Sequence, residues 1–103
     1  MTKVIKGSSP DIVINIENWL GVSPEFFNFT IEFYTEEGIS YSIEKQNLNK
    51  EDNNTYTTKL DSSKLGEGKV KARVTAEYNE NNIETKEIII VSTDIKIVEN
   101  ELS

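Results

Sequence analysis

Apolar side chains recur at every second position through most of the chain, which is the period of a β-strand with one buried face. The alternation is clearest in three stretches, Ile12–Ile16, Phe27–Phe33 and Val70–Tyr78. A fourth stretch, Ile39–Ile43, follows Phe27–Phe33 after Glu36-Glu37-Gly38, where glycine suits the positive φ of a tight reversal. These two stretches therefore predict a hairpin.

The rest of the chain predicts shorter elements. Residues 46–54 form a polar segment rich in asparagine and acids, which predicts a loop, and a short strand should follow through Tyr56 and Leu60. Asp61 to Gly66 predicts one helical turn, capped by Asp61 and ended by Gly66, with Leu65 plugging one end of the core. The return from Ile83 to Val91 changes parity, so we expect a bulge near Lys86-Glu87, and residues 95–98 predict a last short strand.

About seven strands at this spacing, without a stretch of helical period, predict an all-β fold and a single antiparallel β-sandwich, with a small barrel as the rival. We expect the sandwich to span residues 11–98 of the 103-residue chain. Residues 1–10 end in Gly7-Ser8-Ser9-Pro10, which predicts an extended N-terminal arm with a reach of about 33 Å. Residues 99–103 predict a polar C-terminal tail.

The charge narrows the range of partners. The chain has 11 basic and 18 acidic residues, a net charge of −7, so we expect neither nucleic acid nor a membrane as partner. Lys3 and Lys6 make the predicted arm weakly basic, which fits docking on an acidic neighbour and fits a frayed, solvated terminus about equally well. The start has no apolar run typical of a signal peptide, which predicts synthesis in a cytoplasm.

Few catalytic or metal-binding groups are available. The chain has no cysteine and no histidine, which excludes thiolate nucleophiles, imidazole bases and Cys/His zinc sites. Ser62-Ser63-Lys64 lacks the spacing of known serine nucleophiles and is better explained as a capped turn. Glu51-Asp52-Asn53 has calcium-type oxygens without an ordered calcium loop, so solvation explains it better. We therefore expect no enzyme, no cofactor and no metal.

Two further features have a structural and a functional interpretation. Trp19-Leu20 lies in a run that is unusually apolar for a loop. Either Trp19 and Leu20 fold back and cap the open end of the sandwich, or Trp19 is an anchor in a partner protein or a sugar platform. The stripe Lys69, Lys71 and Arg73 is either an anion site or, more simply, the partner of acidic residues such as Glu84 or Glu87 on the next strand.

The stretch from Thr58 to Val74 carries a resemblance. Its sequence, Thr-Lys-Leu-Asp-Ser-Ser-Lys-Leu-Gly-Glu-Gly-Lys-Val-Lys-Ala-Arg-Val, runs from a strand through a short turn ending in Leu-Gly into a long alternating strand. From about Ile12 to Val98 the chain resembles immunoglobulin-like β-sandwich domains of tailed-phage structural proteins. These include baseplate upper-protein N-terminal domains, capsid-decorating proteins and, by composition, the auxiliary capsid proteins of crAss-like phages.

This resemblance implies a non-enzymatic virion protein, made in the host cytoplasm and placed on the capsid surface as an auxiliary or decoration protein. Its partner would be the major capsid protein or another virion subunit, bound in many copies per particle. The alternative is an adhesive or carbohydrate-binding module of a tail or baseplate. Candidate partner-binding residues lie in the arm and the apolar loop: Lys3, Lys6, Ser8, Pro10, Trp19 and Leu20. Deleting residues 1–10 would then abolish capsid binding without changing the melting temperature.

Overall fold

A computed structural model of the chain describes residues 2–80 and 83–99, with side chains described for residues 2–77, 93 and 95–99. This part of the chain contains eight strands and three single-turn 3-10 helices. The strands are β1 (Thr2–Ile5), β2 (Asp11–Asn15), β3 (Asn28–Tyr34), β4 (Ser40–Glu44), β5 (Asn49–Lys50), β6 (Thr55–Lys59), β7 (Gly68–Glu80) and β8 (Ile83–Val98). Among these residues, none forms a helix that is long and apolar enough to cross a bilayer.

The strands form two sheets of unequal width. The wider sheet has the order β1-β8-β7-β3-β4 and the narrower one the order β2-β6-β5. Within the sheets every pair of neighbours is antiparallel except β1 and β8, which are parallel. The predicted all-β fold and β-sandwich are confirmed.

The core lies between the sheets and follows the alternation in the sequence. In β3 the side chains of Phe29, Ile31 and Phe33 are at most 1% exposed, because odd-numbered positions of this strand face the other sheet. From the narrower sheet Ile12, Tyr56 and Leu60 enter the same cluster. The predicted turn at 61–66 is also present: Asp61 Oδ1 accepts a hydrogen bond from Ser63 N (3.2 Å), and Leu65 is 1% exposed.

Three features of the predicted strand map differ from the structure. The register of β7 and β8 runs without interruption from Glu80–Ile83 to Lys71–Ser92, so the bulge expected near Lys86-Glu87 is wrong; the irregularity lies between Lys69 and Lys71. Residues 95–98 continue β8 and are not a separate strand. The predicted loop 46–54 contains β5, since two of its residues pair with β6.

Residues 1–10 are expected as an extended arm, but the described part of this segment, residues 2–10, lies against its own domain. Thr2–Ile5 pairs with Ile95–Val98 as β1, and Val4 is 7% exposed. After β1 the chain is held by Ser62, whose hydroxyl donates to Ser8 O (2.5 Å) and accepts from Gly7 N (2.9 Å). Because these backbone groups bond to the sandwich, residues 2–10 pack against it and do not extend away from it.

The phenol group of Tyr56 gives the core a pH-sensitive element. Its ring lies 5.2 Å from that of Phe29, and its hydroxyl is buried without a hydrogen-bond partner in the described part of the chain. Burial therefore raises the pKa of Tyr56 above its ordinary value of 10.0. A raised folded-state pKa means that the folded form holds this proton more tightly, so stability is lost as the pH rises above about 10.

Tyr56→Phe is expected to raise the free energy of unfolding by about 1 kcal/mol, because it removes an unpartnered buried hydroxyl. The variant should also lose less stability between pH 9 and 11, as measured by urea unfolding. Tyr41→Phe is the matched control, since the Tyr41 hydroxyl accepts a hydrogen bond from Asp61 N (2.8 Å); that variant should be destabilised by about 1 kcal/mol. Equal effects of the two substitutions at pH 7 would contradict this account.

Candidate interaction surfaces

The residues predicted to bind a partner lie in two separate places. Ser8 and Pro10 lie just before β2, while Trp19 and Leu20 follow its other end. The extended chain from Pro10 to Ile16 covers six residue steps and spans about 20 Å. The structure therefore does not bring the arm residues and the apolar loop into one site.

The arm residues differ in their surroundings. Lys3 and Lys6 are exposed, and the Lys6 backbone N–H donates to Val98 O (2.8 Å). The Ser8 hydroxyl donates to Ile5 O (2.6 Å), and Pro10 O accepts from Leu60 N (2.8 Å). Ser8 and Pro10 thus hold this segment to the domain through their backbone groups, and the two lysine side chains face solvent.

Trp19 is part of the core. It is 8% exposed, and its ring packs edge-on against Phe27 at 5.5 Å between centroids. This geometry corresponds to the capping interpretation of Trp19 and leaves little of the ring for a sugar or a partner protein.

Leu20 occupies the tip of a tight turn and is 72% exposed. Trp19 and Val22 exchange two backbone hydrogen bonds of 2.9 Å across the turn, and the two residues between them have positive φ, 53° at Leu20 and 77° at Gly21. Positive φ at both central residues is the pattern of a type I′ turn, for which asparagine followed by glycine is preferred. A leucine there places an apolar side chain in solvent and adds backbone strain.

Leu20→Asn is expected to raise the free energy of unfolding by about 1 kcal/mol, since asparagine tolerates the left-handed conformation that costs leucine about 1–2 kcal/mol. Urea unfolding measures this change. Leu20→Ala is the control: it removes the apolar side chain but keeps the Cβ atom, so it should bring no such gain. If alanine stabilises as much as asparagine, strain at this position is not the cause.

Lys45 fixes the loop that follows this turn. Its ammonium donates to the carbonyls of Pro24 (2.7 Å), Glu25 (3.1 Å) and Phe27 (2.8 Å). Partial burial, and then the nearby charge of Lys50, lower the pKa of Lys45 from its ordinary value of 10.5. Because one ammonium satisfies three carbonyls, the chain from Pro24 to Phe27 has a fixed path from the turn to β3.

A groove opens along the other side of the sandwich, between β2 and the β1–β8 edge. It has a volume of about 510 Å³. Its walls are mainly aliphatic and aromatic, and they include Val4, Ile12, Ile14, Phe33, Val74 and Ile95. Ile14 and Ile95 are half-buried, so the groove brings part of the core to the surface.

The remaining polar groups considered for chemistry are engaged in structural contacts. Arg73 donates to Glu32 on β3 (3.0 Å) and lies 5.2 Å over the Tyr34 ring. Charge pairing therefore explains this member of the basic stripe, with an acid on β3. Glu84 and Glu87, the acids expected from the sequence, lie opposite Asn79 and Ala76 in the backbone register, and their side chains lie outside the described residues.

The acidic side chains of the loop Glu51-Asp52-Asn53 are also engaged in local hydrogen bonds. Asp52 Oδ1 accepts from Asn54 N (2.9 Å), which lowers the pKa of Asp52 below its ordinary value of 3.8. Glu51 accepts from the Thr57 hydroxyl (3.1 Å). No group of three or more acidic side chains in the described part of the chain is arranged to hold a metal ion.

The sequence did not predict the groove. Its lining residues were assigned to strands by their alternation, but its existence depends on which strands lie opposite each other across the sandwich. A difference in width between two sheets has no local sequence signal. The apolar run at Trp19 and Leu20 is visible in the sequence, but the capping interpretation holds for Trp19 and is wrong for Leu20, which is 72% exposed.

Comparison of the chain with protein-family models, with curated proteins and with solved structures found no match.

Proposed function

We propose that this chain is a non-enzymatic virion structural protein, an auxiliary or decoration protein bound to the lattice of a major capsid protein. The observation that carries the proposal is the segment from Thr58 to Val74, which resembles tailed-phage sandwich proteins. The fold supports it, because that segment forms β6, a 3-10 turn capped by Asp61, the buried Leu65 and the long strand β7.

We also propose that the sandwich is of the immunoglobulin-like type. Immunoglobulin constant domains place strands A, B, E and D in one sheet and C, F and G in the other. Here β2, β6 and β5 correspond in order to B, E and D, and β3, β7 and β8 to C, F and G. The strand order supports this assignment, with β4 as an added strand beside C and no strand in the position of A within the described residues.

Attachment to a lattice fits a small protein that binds through shape and charge. One copy has limited area for binding and loses several kcal/mol of translational and rotational freedom on association. A capsid lattice presents many equivalent sites at fixed spacing, which raises the effective concentration of each partner surface. The net charge of −7 favours neighbours with basic or neutral surfaces over nucleic acid and anionic lipid.

The proposal is tested by separating a lysate of infected host cells on a density gradient and detecting an epitope-tagged copy of the chain. We expect the tag to sediment with DNA-filled capsids, and to stay there after tails are removed by shearing. Sedimentation with isolated tails would favour the tail or baseplate alternative. Recovery only at the top of the gradient would overturn both assignments.

The carbohydrate-binding alternative depended on an accessible Trp19. Because Trp19 packs on Phe27 inside the domain, titration with soluble glycans should leave its fluorescence unchanged if the capsid proposal holds. Quenching that saturates with glycan concentration would instead support the adhesive module.

A further inference from the structure

The narrower sheet leaves part of the wider sheet uncovered. Ile12 and Ile14 of β2 line the groove together with Ala72 and Val74 of β7, so β2 lies over β7 and the wider sheet continues past it into β8 and β1. Beside the groove Ile95 of β8 is only partly buried, whereas Ile97 nearer the end of this strand is fully buried. The two strands that extend past β2 correspond to a width of about 10 Å. The groove is the space that a further strand beside β2 would fill.

The free edge of β2 has backbone N–H and C=O groups that do not pair with another strand of the described residues. Leu60 N donates to Pro10 O and Ile16 N donates to Asn54 O, both at 2.8 Å, so the even-numbered residues of this segment bond to β6. Directly opposite residues of an antiparallel pair alternate between bonded and non-bonded. The N–H and C=O groups of Asp11, Val13 and Asn15 therefore point away from β6, toward the groove side.

β2 has few of the features that usually prevent an edge strand from pairing with another chain. Edges are commonly protected by inward-pointing charges, lysines, proline or bulges. Within β2 the register with β6 is regular, and the central residue is Val13, which is 64% exposed. An open, regular edge beside an apolar groove is the arrangement that binds an added strand.

The width of the overhang favours a single strand over a second copy of the domain. In a symmetric pair joined at the β2 edges, the strands β8 and β1 of each copy would extend past β2 toward the other copy. The two overhangs, each about 10 Å wide, would meet before the β2 edges reached the spacing of about 4.8 Å at which strands bond. One extended segment has no such obstruction.

The charges at the ends of β2 define the chemistry of that segment. Asp11 and Glu17 are both exposed, one at each end of the edge, and the whole chain carries −7. Lys59 contacts Asp11 at 2.9 Å, but both side chains are at least 70% exposed, so this pair is weak. A segment with basic residues at its ends and small apolar residues at alternate positions fits the edge and the groove together.

We propose that the groove accepts an extended segment of a partner protein, which adds to β2 as an antiparallel strand with alternate apolar side chains on the groove floor and basic residues at its ends. The identification of the partner as a virion subunit rests on the proposed function, whereas the existence of a strand-accepting groove is independent of it. Antiparallel addition is favoured because it gives the more stable pairing per residue.

The first test uses a synthetic peptide, Lys-Val-Thr-Val-Thr-Val-Lys, and amide exchange of the full chain followed by NMR. In the proposed pairing the lysine and threonine amides face β2 and the valine side chains face the groove. We expect exchange at Asp11, Val13 and Asn15 to slow at least tenfold at saturating peptide. N-methylation of the two threonines should abolish the effect, whereas N-methylation of the central valine, whose amide points away, should preserve it.

Unchanged exchange at these three amides with millimolar peptide would overturn the proposal, as would equal protection by both methylated peptides. Protection that grows with protein concentration in the absence of peptide, with a dimer in light scattering, would show that a second copy is the occupant and would also overturn it.

The second test asks whether the free edge of β2 is needed for binding to the capsid. Val13→Pro removes an N–H that makes no bond within the sandwich, and Val13→Thr is the control that keeps it. We expect Val13→Thr to sediment with capsids and Val13→Pro to lose at least tenfold in occupancy, with similar circular dichroism. If both variants sediment with capsids, the groove does not bind a virion subunit, so that part of the proposal fails and the proposed function stands. If neither variant nor the wild type sediments with capsids, the proposed function fails, and the peptide experiment alone tests the groove.

Discussion

Truncation of Phe29 to alanine is expected to lower the free energy of unfolding by about 3–5 kcal/mol, the usual cost of removing a buried phenylalanine ring. Phe29 is 1% exposed, and its ring lies 6.2 Å from Phe27 and 5.2 Å from Tyr56. Because it joins the two sheets in the middle of this aromatic cluster, the cavity cannot close without moving β3 or β6. Urea unfolding followed by circular dichroism measures the loss.

Phe26→Ala is the matched control for this substitution. Phe26 lies three residues earlier and is 70% exposed, so its truncation should change stability by less than about 0.5 kcal/mol. A destabilisation of similar size in the two variants would show that the ring of Phe29 does not hold the sheets together as described.

Deletion of residues 1–10 is expected to destabilise the domain by at least about 2 kcal/mol. The deletion removes Val4, whose burial alone is worth about 1.5–3 kcal/mol. It also removes the backbone groups of Ile5, Gly7 and Ser8 that bond to the buried Ser62 hydroxyl. Since 1 kcal/mol shifts the midpoint of a domain of this size by about 4–8 °C, the melting temperature should fall by roughly 10 °C.

The control for the deletion is Lys6→Ser, which removes an exposed charge but keeps the backbone that bonds to Val98. Its melting temperature should stay within about 2 °C of the wild type, since surface changes of this kind are nearly neutral. An unchanged melting temperature in the deletion variant would be the result of a free arm, and it would contradict the pairing of β1 with β8. Because the deletion also destabilises the domain, a loss of capsid binding in this variant would not by itself show that residues 1–10 contact the capsid.

Strand positions and buried faces could be predicted wherever the sequence alternates over several residues. In β3 the apolar residues Phe29, Ile31 and Phe33 recur at every second position, and β7 shows the same pattern, so only one face of each strand is apolar enough to be buried. The turn at 61–66 was also predictable, because an aspartate cap, a leucine and a glycine follow each other at fixed offsets.

The features that depend on distant pairing could not be predicted in this way. β1 has one buried residue, Val4, and its partner lies more than ninety positions later in the chain. The alternatives for Trp19 stayed open in the sequence, because a ring that caps a core and a ring that binds a partner have the same local composition. The parity change in the return strand was assigned to a bulge, whereas the register of β7 and β8 is continuous there.

The parallel pairing of β1 and β8 has a mechanical consequence. Tension applied to the chain ahead of Thr2 and behind Val98 pulls these two strands in opposite directions along their common axis. Such a load falls on all the hydrogen bonds between them at once, including Lys6 N to Val98 O, and does not peel them apart singly. We therefore expect this short pair to act as a shear clamp that resists stretching of the domain.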